Sequence, residues 1–120
     1  MSKVKPLLLA VSFCILMGII TGGALADPPR DIVSEFDSST KMLKIEVVHP
    51  VSSVESHFVK ELQIFLDGKL MVVQNFDSQS NKTAQEVSYI LIDALAGSEI
   101  IVQAECNKFG SAKKEIILET

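Results

Sequence analysis

Apolar and polar residues alternate with period two along most of the chain beyond residue 40. From Lys41 to Val48, Leu43, Ile45 and Val47 fall on one side of an extended backbone, and Lys44 and Glu46 on the other. This is the pattern of a half-buried strand. Leu62, Ile64 and Leu66, set against Glu61 and Gln63, predict a second strand over Phe58–Leu66. Asp67-Gly68 follows as a tight hairpin turn, because both residue types tolerate positive φ, and Leu70–Phe76 is its partner strand. Gln85–Ile92, Glu99–Cys106 and Ser111–Leu118 complete the series, separated by the polar loop Asp77–Thr83 and by turns at Ala96-Gly97 and Asn107–Gly110. Helical periodicity is weak throughout. Six or seven short strands with regular turns predict an all-β fold, an immunoglobulin-like β-sandwich of about seven strands, over residues 41–120. Residues 27–40 are polar, with Pro28, Pro29 and Ser38-Ser39, and read as a leader or a short edge strand.

The first 26 residues have a different pattern. Lys3 and Lys5 give a positive start, Leu7 to Ile20 form an apolar run, and Ala24-Leu25-Ala26 supplies small residues before Asp27-Pro28-Pro29. That is the arrangement of a cleavable secretory signal. The run is short for a membrane span. The expectation is therefore a periplasmic or secreted protein with no membrane span after cleavage.

Composition narrows the function. Losing Lys3 and Lys5 with the signal takes the formal net charge from −4 to −6. With no run of Lys and Arg, the mature chain should repel nucleic acid and anionic lipid, so no nucleic-acid partner is expected. No Gly-x-Ser-x-Gly or paired-carboxylate arrangement accompanies the serines, and the turns are not phosphate-cradling loops. The 94 residues remaining after cleavage of the 120 suffice for one domain. Asn81-Lys82-Thr83 matches a glycosylation acceptor, a triplet common by chance.

Cysteine and histidine are sparse. Cys14 leaves with the signal, so Cys106 is the single mature cysteine, and His49 and His57 are the only histidines. A lone cysteine in an exported chain is a free thiol, an intermolecular bridge or a metal ligand. If successive strands alternate in direction, the first, third and fifth loops share one pole. His49 and His57 flank the first of these and Cys106 opens the fifth, so all three gather at that pole. Pro50 holds His49 in an extended backbone. Two imidazoles and a thiolate suit iron, copper or zinc. The same residues also read as a small core cysteine on an apolar strand face and two polar histidines at strand ends.

His49-Pro50, His57-Phe58-Val59-Lys60-Glu61-Leu62 and Gly68 resemble the segment of superoxide reductases and desulfoferrodoxins that carries two adjacent iron ligands. Cys106-Asn107-Lys108-Phe109-Gly110 is similar to the cysteine-asparagine-x-histidine-glycine turn of that family, whose cysteine is the axial iron ligand. The likeness runs from about Lys41 to Leu118. It implies an immunoglobulin-like sandwich with a mononuclear non-haem iron, His49 and His57 as imidazole ligands and Cys106 as the thiolate ligand.

The resemblance also implies superoxide reductase-like oxidoreductase activity, with a small redox donor protein as partner. Two departures bear on the chemistry. Phe109 stands where the family has a histidine, and no histidine precedes His49, so the ligand set is short of two imidazoles. A three-ligand iron could recruit water or a carboxylate, and Glu55 and Glu105 are nearby in sequence. A second copy of the chain could also supply ligands, which makes a homo-oligomer a further expectation. The His-Pro and His-Phe-Val-x-Glu-Leu pattern is similar, too, to the small sandwich subunit of the thiosulfate-carrier complex of sulfur oxidation. That resemblance implies a non-enzymatic module whose partner carries a Gly-Gly-Cys-Gly-Gly arm. Cys106-Asn107 favours the iron-binding family.

Overall fold

A computed structural model describes residues 27–119; the secretory signal expected over residues 1–26 lies outside them. The chain forms seven strands, β1 (Asp31–Asp37), β2 (Met42–Val48), β3 (Val59–Leu66), β4 (Lys69–Asn75), β5 (Ala84–Ile90), β6 (Glu99–Cys106) and β7 (Ser111–Ile117). They pair in two antiparallel sheets, of order β1-β2-β5 and β4-β3-β6-β7. The fold is an all-β sandwich of immunoglobulin-like type, with β4 added to the sheet of β3. Among the described residues no helix is long and apolar enough to cross a membrane.

The alternation in sequence becomes the inner face of each sheet, because successive side chains of a strand point to opposite sides. Leu43, Ile45 and Val47 of β2 and Ile32 of β1 are buried against Leu62, Ile64 and Leu66 of β3 and Ile100, Val102 and Ala104 of β6. β1 is an edge strand. Its pairing with β2 runs from Asp31 opposite Val48 to Asp37 opposite Met42, and Ile32 is its one fully buried apolar side chain. The β3–β4 turn puts Asp67 and Gly68 at φ 49° and 83°, the double positive φ of a two-residue hairpin. The apolar pattern alone overran several strand ends. β4 stops at Asn75 and β5 at Ile90, since Phe76 and Leu91 bond across to Lys60 and Lys41 outside the ladders.

Antiparallel pairing sorts the loops. Asp31 lies opposite Val48 and Val48 opposite Ala84, while Val59 lies opposite Cys106. Residues 49–58, 76–83 and 107–110 therefore share one pole with the segment that leads into β1. A bulge at Lys60 shifts the β3–β6 register between Val59 and Glu61, beside Cys106. Bulges of this kind re-aim side chains next to sites.

Candidate metal centre

Three unrelated stretches of chain deliver the pole's nitrogen and sulfur atoms. β2 ends at Val48 and hands His49 inward, where it is fully buried. The crossing to β3 brings back His57, half-buried, two residues before β3 begins. β6 ends on Cys106, whose side chain is 3 % exposed. One ligand atom from each of His49, His57 and Cys106 lies within 4.8 Å of the other two. Two donors on one first-row ion, each at about 2.0–2.3 Å, stand at most about 4.6 Å apart. The cluster is thus within a small side-chain adjustment of sharing an ion. The two rings meet edge to face, with centroids 4.6 Å apart and planes at 87°.

Hydrogen bonds fix each member. Gln79, 4 % exposed in the loop between β4 and β5, donates its side-chain amide to the carbonyls of His49 (2.7 Å) and Asn81 (3.0 Å). Its Oε1 accepts the Val59 N–H at 3.2 Å, so the orientation of the amide is settled. The same oxygen lies 2.7 Å from His49 Nδ1. His49 therefore carries its proton on Nδ1, and Nε2 presents a lone pair to the cluster, the tautomer that a metal-ligating histidine needs.

The cysteine turn is tied to the histidine loop. Asn107 Oδ1 accepts the Phe58 N–H at 2.9 Å, its amide donates to the Ser56 carbonyl at 3.1 Å, and its own N–H bonds the Phe58 carbonyl at 2.9 Å. The Lys108 N–H points at Cys106 Sγ from 3.3 Å. Backbone donors aimed at sulfur stabilise a thiolate and tune any metal it holds.

The structure brings together all three residues singled out from the sequence. Of the two carboxylates nearby in sequence, neither Glu55 nor Glu105 joins the cluster. Glu105 faces the other side of β6 from Cys106 and pairs with Lys60 at 3.6 Å. Strand alternation dictates this outcome, since consecutive residues of a strand point opposite ways. Phe109 is 64 % exposed and takes no part. Two contributors escaped the sequence reading. Gln79 sits in a polar loop with no periodicity to mark it as buried. The other is a backbone atom, the Asp27 carbonyl oxygen, 3.1 Å from His49 Nε2 and 3.2 Å from His57 Nε2.

Fold and cluster together define an all-β sandwich with a two-histidine, one-cysteine constellation at one pole. No protein-family model matches the chain, and no curated protein does. Among solved structures the chain is similar to that described as "Crystal structure of hypothetical protein PH1083 from Pyrococcus horikoshii OT3". The TM-score is 0.51 at 20 % identity, over 76 % of this chain and 89 % of the other. At that identity the likeness concerns the fold.

Proposed function

We propose that this chain is an exported metal-binding protein in which His49, His57 and Cys106 hold a single iron ion. It would form a redox-active centre like that of superoxide reductases but with a smaller imidazole set. The observation that carries the reading is the meeting of three ligand atoms within 4.8 Å, drawn from segments almost sixty residues apart in sequence. The donor set fits, since imidazole and thiolate suit iron, with copper and zinc the competitors. When bound, iron supplies one-electron chemistry.

The protein's own share is positioning and electrostatics. Gln79 keeps the His49 proton on Nδ1 and so reserves Nε2 for the ion. The Lys108 N–H stabilises negative charge on the sulfur. Complete burial of His49 keeps water from that side, whereas the partial exposure of His57 leaves an approach for an oxidant or a donor protein. With an imidazole set smaller than that of superoxide reductases, transfer of single electrons to a partner fits these residues better than fast superoxide turnover.

Metal analysis after anaerobic purification, paired with a Cys106→Ser variant, tests the reading. Iron in roughly equimolar amount is expected, with a thiolate-to-iron(III) absorption band on oxidation that the variant lacks. Zinc or copper in its place would keep the metal site and overturn iron. A protein that purifies metal-free and stays colourless after iron loading would overturn both.

A further inference from the structure

We propose that residue 27 is itself a ligand of this centre. Its carbonyl oxygen and, once residues 1–26 have been cleaved off, its α-amino nitrogen would chelate the ion together. The proposal rests on the three-residue metal centre of the preceding subsection and adds a fourth contributor to it.

The carrying observation is a pair of acceptors facing each other. Gln79 Oε1, which accepts the Val59 N–H, also takes the Nδ1 proton of His49. His49 Nε2 then turns a lone pair toward the lone pairs of the Asp27 carbonyl at 3.1 Å. A shared cation resolves the conflict, because it binds both lone pairs at once. Two adjacent donors on an ion at about 2.0–2.2 Å lie about 3 Å apart. The carbonyl is 3.1 Å from His49 Nε2 and 3.2 Å from His57 Nε2, the spacing of neighbouring ligands.

The segment behind this oxygen is held in place. Pro29 is buried and the Arg30 N–H bonds the Val48 carbonyl at 2.7 Å. Pro28 lies against Gly110, so close that a Cβ at residue 110 would come within 2.4 Å of the proline Cβ. The first residues after the expected cleavage point are therefore wedged between the histidine loop and the cysteine turn. Cleavage after Ala26 frees the amine of Asp27. Amine nitrogen and carbonyl oxygen of one residue are separated by two carbons, so their joint binding closes a five-membered ring. In the uncleaved precursor the same nitrogen is an amide and a poor ligand. Metal affinity is thereby tied to removal of the leader.

Cobalt(II) is the probe, added anaerobically to three chains. One begins at Asp27, one carries Gly-Ser ahead of Asp27, and one lacks residue 27. Affinity is read by competition with a chromophoric chelator, and site identity by the thiolate-to-cobalt band. The chain beginning at Asp27 should bind at least about tenfold more tightly than the extended one, because the second donor is supplied intramolecularly. The chain lacking residue 27 should bind most weakly. Equal affinity in the extended and the Asp27-first chains would overturn the chelate. If the cobalt band nonetheless disappeared in Cys106→Ser, the three-residue centre would survive that result. A folded Asp27-first chain that binds no cobalt would sink the centre and the chelate together.

Discussion

Gln79 grips His49 at both ends, donating its amide to the His49 carbonyl at 2.7 Å while its oxygen sits 2.7 Å from His49 Nδ1. One side chain thus sets the backbone position, the ring orientation and the tautomer of the most deeply buried candidate ligand. Replacing it with methionine leaves two buried partners unpaired, the Val59 N–H and the His49 carbonyl, and removes a bond to the more exposed Asn81 carbonyl. The expected loss of stability is about 2–4 kcal/mol by urea unfolding, since each orphaned buried group costs roughly 1–3 kcal/mol before relaxation. Metal affinity should fall about 10–100-fold even where the variant is folded, as is usual when the outer partner of a ligating histidine is removed.

Gly110 and Gly97 provide a controlled pair. Both have strongly positive φ, 82° and 86°, but a Cβ at Gly97 meets nothing within 4 Å whereas one at Gly110 strikes Pro28. Gly97→Ala should cost about 1 kcal/mol, from backbone strain alone. Gly110→Ala should cost about 1–2 kcal/mol more, unless the chain relieves the clash by moving Pro28 away. In that case the deficit appears as weaker cobalt binding, because Pro28 carries Asp27 with it. Urea unfolding and cobalt titration of both variants separate the two outcomes.

Ile64 lies at the centre of β3 and is fully buried between the sheets. Ile64→Ala removes three carbons and leaves a cavity in a close-packed interior, with an expected cost of about 2–5 kcal/mol by denaturant unfolding. That is a large fraction of the stability of a domain of this size. Val73, 48 % exposed on the neighbouring edge strand β4, should tolerate alanine with less than about 1 kcal/mol of change.

A carboxyl pair makes the fold sensitive to mild acid in an unusual direction. The Glu99 carboxyl is raised above its ordinary value of 4.5, chiefly by a side-chain hydrogen bond with Glu115 and then by desolvation and like charges. A group whose pKa rises on folding binds more protons when folded. Its contribution is fully present below the unfolded value and is lost as pH rises through the folded one. Glu115→Gln should remove this local decline, so that unfolding free energies measured from about pH 4 to pH 7 fall less steeply in the variant. Asp37 acts oppositely and at lower pH. The Ser39 hydroxyl, with the Ser39 and Thr40 backbone N–H groups, holds its carboxyl below the ordinary 3.8, and its contribution is lost in stronger acid. A steeper profile in Glu115→Gln would contradict the assignment.

The alternation of residues along β2, β3 and β6 determined which side chains fill the core, because a strand has only two faces and one must be dry. Asp67-Gly68 fixed a hairpin for an equally local reason. Alternation of strand direction also sufficed to put His49, His57 and Cys106 at the same pole. The true ends of β4 and β5 depended on hydrogen bonds to distant strands, which no local pattern carries. β1 was legible only as a polar leader or short edge strand, and pairing with β2 rather than burial makes it the edge strand. Tertiary structure alone brought Gln79 beneath His49 and the Asp27 carbonyl against both rings. Those contacts join residues 22 to 30 positions apart through a loop side chain and a main-chain oxygen, and a backbone atom leaves no mark in an amino-acid sequence.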